Sequence, residues 1–270
     1  MRLLFLGDIV GRSGRNAVTE RVPELRRVLG LDFVVANVEN AAGGFGATEE
    51  ICHHLFDSGV DVLTSGNHIW SQREIIDFIG FEKRLLRPLN FRAAAPGRGE
   101  GLYDLADGRR VLVVNVMGQL FMDPVDDPVA AVETVLGRHG LGDGIDAIIV
   151  DVHAEATSEK MSLGHLLDGR VSLVVGSHTH VPTADMQILS HGTAYHTDAG
   201  MCGDYDSVIG MEKTVPLSRL RSGLPTGRLA PAGGEATLCG TFVETRSDGL
   251  AARIEALRVG GRLQAHVPKP

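Results

Sequence analysis

Five short polar segments carry residue types that hold metal ions and move protons. They are Gly7-Asp8, Asn37-Val38-Glu39-Asn40, Gly66-Asn67-His68, Asp151-Val152-His153 and His178-Thr179-His180. The set offers carboxylates, amide oxygens and imidazoles, without thiolate. That donor mixture favours iron, manganese or zinc over soft-metal chemistry or a closed structural zinc site. The donors suffice for two ions, and two dications a few Å apart need a bridging carboxylate to reduce their repulsion. Two carboxylates against two dications leave a formal charge of about +2 before any hydroxide binds, which makes an anion trap. Two metals about 3.5–4 Å apart hold a hydroxide and clamp the attacking and leaving oxygens of an in-line phosphoryl displacement.

Taken singly, each segment has a plainer reading. An Asp after a first strand is commonly a turn or helix-capping residue. Asn-Val-Glu-Asn reads as a polar loop, Gly-Asn-His as a turn, and a lone His153 as a hydrogen-bonded structural histidine. His178-Thr179-His180 is the stronger signal, because i, i+2 spacing puts both rings on one face of an extended segment. The remaining histidines carry less. His53, His54, His139, His165 and His266 read as solvated, and His191 and His196 are ambiguous. Gly11-Arg12-Ser13-Gly14-Arg15 lacks the lysine of a phosphate-binding loop and reads as a helix start.

Convergence of the five follows from the elements that precede them. Leu3–Leu6, Phe33–Ala36, Asp61–Thr64, Ala147–Val152 and Val171–Val175 are short apolar runs that read as buried strands. Helical periodicity fills Ser13–Leu29, Thr48 to about Ser58, Ser71–Ile79, Val125–His139 and Ser158–Leu167, with Thr48 and Ser71 as N-caps. Arg110–Val116 is a further β-branched strand. Hairpins are read at 187–196 and 236–259, and the Gly- and Pro-rich stretch 222–234 as a loop. In open α/β sheets ligands bind beyond the carboxyl ends of strands, so five such ends converge on one place.

Composition sets the bounds. The 270 residues are 43% hydrophobic and 22% charged, which excludes disordered and fibrous classes. The formal net charge of −8 leaves no basic footprint for nucleic acid, so no stable nucleic-acid binding is expected. Three cysteines without a CxxC pair argue against a disulfide framework. With no long apolar run and no signal-peptide layout, a cytoplasmic protein without membrane association is expected.

The residues as ordered here resemble the calcineurin-like metallophosphoesterases over about residues 2 to 260. Gly66-Asn67-His68 and His178-Thr179-His180 match well. Val10 stands where that family has a His, and Asn37-Val38-Glu39-Asn40 replaces its Gly-Asp-x-x-Asp. Both departures are similar to those of one subgroup, the YmdB-type bacterial phosphodiesterases, whose Gly-Asp-Ile-Val-Gly and Asn-x-Glu-Asn segments this chain reproduces.

The resemblance implies a four-layer αββα sandwich of two mixed sheets flanked by helices, formed by residues 1–270 as one domain. It implies that Asp8, Glu39, Asn40 and His180 hold one metal, and that Glu39, Asn67, His153 and His178 hold the other, with Glu39 bridging. Asn40 then stands in for the histidine missing at Val10, and the oxygen-rich first site suits iron or manganese. His68 is placed just outside the metals as the catalytic proton donor, or as a hydrogen-bond donor to the phosphoryl oxygen; like charge nearby disfavours its imidazolium form. The expected activity is hydrolysis of a small phosphodiester, cyclic nucleotides favoured, through a metal-bridging hydroxide. A phosphomonoesterase on the same site and a nucleotide-binding regulator with negligible turnover are the alternatives. Little base selectivity is expected, because no aromatic stacking pair is recognisable near the motifs. An oligomer is left open.

Overall fold

The computed structural model describes residues 1–224 and 227–269. Strands β1 (Arg2–Leu6), β2 (Asp8–Ile9), β3 (Phe33–Asn37) and β4 (Val62–Thr64) alternate with helices α1 (Gly11–Leu29) and α2 (Glu49–Asp57). A 3-10 turn, Ile69–Ser71, and α3 (Ile75–Phe81) lead to β5 (Glu100–Asp104), β6 (Arg110–Met117), α4 (Pro128–Leu136), β7 (Ala147–His153), α5 (Thr157–Leu166) and β8 (Leu173–Ser177). The chain continues through β9 (Gln187–Ile188), β10 (Ala194–His196), β11 (Met201–Asp204), α6 (Thr214–Ser222), β12 (Ala236–Thr245) and β13 (Ala251–Val259).

The strands form two mixed sheets. One has the order β2-β11-β12-β1-β3-β4, with β13 on β12; the other runs β5-β6-β7-β8-β10-β9. Strand β1 shows why they stack. Its Leu3 and Phe5 pack between the sheets with Val113, Ile149 and Val175, while Leu4 and Leu6 face the helix layer with Val18, Val22, Leu55 and Ile79. Side chains alternate across a strand, so a run of four apolar residues is buried on both faces. The second sheet repeats this: Leu112, Val114, Ile148 and Val150 turn outward onto Val132, Val135 and Leu163 of α4 and α5. The layers are therefore helix, sheet, sheet, helix.

Several boundaries shift from the sequence reading. Thr48 does cap α2, accepting from the Ile51 amide. Ser71 caps nothing: it ends the 3-10 turn, and α3 begins only at Ile75. The helix expected at Val125–His139 is confined to Pro128–Leu136, capped by Asp127. Helix α6 was not legible because it buries no residue and so has no apolar stripe. The loop expected at 222–234 begins after Ser222 instead, and its residues 225 and 226 lie outside the described residues.

Helix α5 turns a lysine inward. Lys160 is 1% exposed, and its Nζ donates to Asp198 Oδ2 at 2.7 Å and to the Ser177 carbonyl at 2.8 Å. Lysine is almost never fully buried unless paired. Removing one partner of a buried pair leaves the other charge uncompensated, at a cost of roughly 3–5 kcal/mol. Lys160→Met is therefore expected to lower the unfolding free energy of the chelator-treated chain by that amount in a denaturant titration. Lys160→Met/Asp198→Asn should lose clearly less. Equal stability of Lys160→Met and wild type would contradict this role.

Candidate metal centre

The five polar segments meet at the carboxyl ends of the strands they follow. Asp8 opens β2, whose pairing with β11 sets it beside Met201. Glu39 and Asn40 follow β3, and the Asn40 carbonyl accepts from the Gly11 amide at 3.0 Å, which ties it to the start of α1. Asn67 and His68 follow β4, His153 ends β7, and His178 and His180 follow β8. The first three ends belong to one sheet and the last two to the other, so the cluster lies where the two sheets meet.

Two groups of side chains present ligand atoms within 4.8 Å of one another: Glu39, His153 and His178 form one, and Asp8, Glu39 and His180 the other. Glu39 belongs to both. The amide oxygens complete the pattern, with Asn67 Oδ1 3.1 Å from His153 Nε2 and Asn40 Oδ1 3.1 Å from His180 Nε2. All seven residues proposed from sequence as ligands are thus brought together. The His178-Thr179-His180 segment differs in one respect from the sequence reading. It is not extended: His178 and His180 have φ of 95° and 67°, a left-handed conformation that costs non-glycine residues energy. A tight turn, not strand pleating, aims the two rings.

Outer partners set each imidazole's free nitrogen. His180 Nδ1 donates to the Ile209 carbonyl at 2.8 Å, which leaves Nε2 as a lone pair facing Asn40. His178 Nε2 lies 3.3 Å from Glu155 Oε2, leaving Nδ1 to face His153 Nε2 at 3.1 Å. Ser177 Oγ donates to Asp151 at 2.7 Å and so accepts from His153 Nδ1 at 2.9 Å. His153 Nε2 then faces Glu39 Oε1 at 3.0 Å, Asn67 Oδ1 and His178 Nδ1, all of them acceptors. These tautomers are inferred from hydrogen-bond partners. An outer partner on the far nitrogen is the usual arrangement around metal-ligating histidines. Two groups of buried carboxylate and imidazole donors that share Glu39, with amide oxygens beside them, fit the binding of metal ions.

The electrostatics show how the cluster is balanced by its own side chains. Burial pushes Asp8 up to about 6 despite His180 and His153. Burial also opposes ionisation of Glu39, yet the charge and hydrogen bond of His153, with His68 and His178 nearby, hold it down to about 2. Burial disfavours a charged His153, but Glu39, Asp8 and Asp151 outweigh it and push the ring to about 9. Without a cation, His153 acts as the counter-charge for the carboxylates. Burial and the neighbouring His153 depress His178 to about 3, so its Nδ1 is available at neutral pH.

Residues that sequence reasoning missed hold this arrangement. Asp198 Oδ2 accepts from both the amide and the hydroxyl of Thr179, at 3.2 and 2.7 Å, besides Lys160. It thereby fixes the turn between the two histidine ligand candidates. In the sequence, Thr197–Gly203 follows a strand at a place that could line the site, but nothing in its residue types names a role for Asp198. Asn37 Nδ2 reaches the Ser65 carbonyl, Asp151 and Ser177, tying the sheets together beneath the cluster. A Cβ on Gly66 would stand 2.1 Å from His153 Nε2 and 2.3 Å from Glu39 Oε2, so this position accommodates only glycine.

His68 belongs to neither group of ligand atoms. Its amide donates to Glu39 Oε2 at 3.2 Å, and its half-buried ring meets the edge of Phe45 at 5.0 Å. No aromatic stacking pair is recognisable near the motifs in the sequence, but in the structure Trp70, just after Asn67-His68, pairs with Phe91 at 6.1 Å. Phe91 is distant in sequence, which hid the pair. His196 resolves as structural, bonded to Thr241 and to the Thr183 carbonyl.

Comparison with known proteins identifies the family. A family model described as YmdB-like protein matches residues 4–257. A 2′,3′-cyclic-nucleotide 2′-phosphodiesterase of Bacillus subtilis is 45% identical over 244 residues, covering 90% of this chain and 91% of that protein. The crystal structure of a hypothetical protein from Thermus thermophilus superposes with a TM-score of 0.90 at 40% identity, covering 97% of this chain and all of that one. A novel phosphatase of Mycoplasma pneumoniae superposes with a TM-score of 0.88 at 31% identity, covering 96% of this chain and 93% of that one. The chain belongs to the YmdB-like family of phosphoesterases.

Proposed function

We propose that this chain is a dinuclear-metal phosphodiesterase acting on cyclic nucleotides or closely related phosphodiesters. The observation that carries the proposal is the pair of ligand groups sharing Glu39. In this reading Asp8, Glu39, Asn40 and His180 hold one ion, Glu39, Asn67, His153 and His178 the other, and iron or manganese is favoured by the oxygen-rich first set. The similarity to a Bacillus cyclic-nucleotide phosphodiesterase supports the substrate class.

Two bound ions supply a hydroxide nucleophile at neutral pH and neutralise charge on the attacked phosphoryl group. The chain's own part is to hold and orient. Water adds to phosphorus, the bond to one ribose oxygen breaks, and that oxygen leaves with a proton. His68 stands beside Asn67 with its ring outside the ligand groups, the position for donating to that oxygen. Its amide on Glu39 couples its placement to the shared carboxylate. Asp198 and Lys160 keep His178 and His180 aimed inward. A cyclic diester brings one negative charge and a strained ring to a site of about +2 formal charge. A monoester brings about two charges and binds more tightly as product.

Three outcomes are expected. Purified wild type should carry close to two transition-metal ions per chain by elemental analysis. Glu39→Ala should lose most of both and His180→Ala mainly one; retention of both ions in Glu39→Ala would sink the bridging assignment. His68→Ala should keep metals and fold but turn over roughly 10²–10⁴-fold more slowly, the usual worth of proton transfer. A nitrophenyl leaving group should shrink that penalty, whereas metal loss in His68→Ala would make His68 a ligand instead. Finally, kcat/KM should be higher for a cyclic nucleotide than for the matching monoester, and inorganic phosphate should inhibit. A clear monoester preference would turn the reading to a phosphomonoesterase, and metal binding without turnover of either would turn it to a regulatory nucleotide binder.

A further inference from the structure

A cavity of about 270 Å³ opens beside the metal centre, with Asn67 as one of its lining residues. Its other walls include Trp70, Phe91, Met117, Pro124 and Val125. Trp70 is placed by the 3-10 turn that follows Asn67-His68. Met117 ends β6 in register with His153 on β7, so this wall too adjoins a ligand-bearing strand. The walls are stapled together. Buried Asn90 accepts from the Met117 amide at 2.9 Å and donates to the carbonyls of Met117 at 2.7 Å and Asp126 at 2.9 Å. One side chain thus joins the Phe91 loop, the end of β6 and the segment carrying Pro124 and Val125, which makes the cavity a fixed feature.

We propose that this cavity is the nucleobase subsite, with Trp70 and Phe91 as its stacking wall. The inference rests on the phosphodiesterase reading, because it puts the phosphoryl group at the Asn67 end. The volume lies just below the usual range for ligand pockets, so it suits a flat heterocycle and not a whole nucleotide. The two rings lie 6.1 Å apart and tilted by 38°, already in contact, so a base packs against their shared wall and does not slide between them. Met117, buried at the end of β6, closes the apolar back of the cavity. Arg92 and Asp123 also line the cavity and are exposed there, so they offer a donor and an acceptor to the base edge in water. Stacking accepts any base, since every base has a π-face. The site therefore binds nucleosides in preference to base-free esters while discriminating weakly among bases.

Alanine substitution of one stacking aromatic typically costs a factor of about 5 to 150 in binding. The test compares a nucleoside 2′,3′-cyclic phosphate with the corresponding base-free riboside cyclic phosphate, using wild type, Trp70→Ala and Phe91→Ala. The variants are expected to lose about that factor in kcat/KM on the nucleotide, to be unchanged on the base-free ester, and to keep wild-type metal content. Equal losses on both esters, or no loss on either, would overturn the proposal. A second readout does not depend on turnover. Trp70 is the only tryptophan of the chain, so its fluorescence reports on this wall directly. A nucleoside 3′-monophosphate should change it saturably and ribose 3-phosphate should not. If wild type cleaves neither ester, the phosphodiesterase reading fails and the fluorescence decides the subsite: a response to the nucleotide alone supports it, and equal or absent responses overturn it.

Discussion

Asp8 and Glu39 are buried in one small space with three imidazoles, and their acceptor atoms face one another. Leaving such groups unpaired costs several kcal/mol apiece, so the surrounding fold must hold them in place. It does so with outer hydrogen bonds. Asp151 acts through Ser177 on His153, the Ile209 carbonyl on His180, and Glu155 on His178. The strained turn at His178–His180 persists because Asp198 grips Thr179 from two directions and Lys160 neutralises Asp198. The strained backbone, the inward lysine and the obligatory Gly66 all serve the same cluster.

Much of this was legible in the sequence because it is local. Apolar runs ending in Asp, Asn-His or His announce buried strands with functional ends, and the alternation in Leu3–Leu6 maps onto the two faces of β1. What escaped was set by long-range packing. A lysine on an inner helix face is indistinguishable from a solvated one until Asp198, 38 positions away, is found against it. Trp70 and Phe91 are far apart in the chain and adjacent only after folding. Strands β2 and β11 are too short to show periodicity, and α6 buries nothing that would reveal it. The left-handed turn at His178 was invisible because nothing local marks it: neither histidine is a residue type that favours that conformation as glycine does.

The electrostatic character of the chain also falls into place. With a net charge of −8 the surface does not attract a phosphate ester, so attraction must be local. On the proposed reading, two ions held by only two carboxylates would supply that locally. In the proposed subsite the neighbouring aromatic wall would add recognition that charge cannot, since stacking on Trp70 is indifferent to the field outside.

The most direct test is diffraction from metal-loaded crystals with anomalous data at the iron and manganese absorption edges. Two peaks about 3.5–4 Å apart, one on each side of the Glu39 carboxylate, are predicted. One of them should be near Asp8, Asn40 and His180, and the other near Asn67, His153 and His178. A single peak, or two peaks that do not share Glu39, would contradict the account.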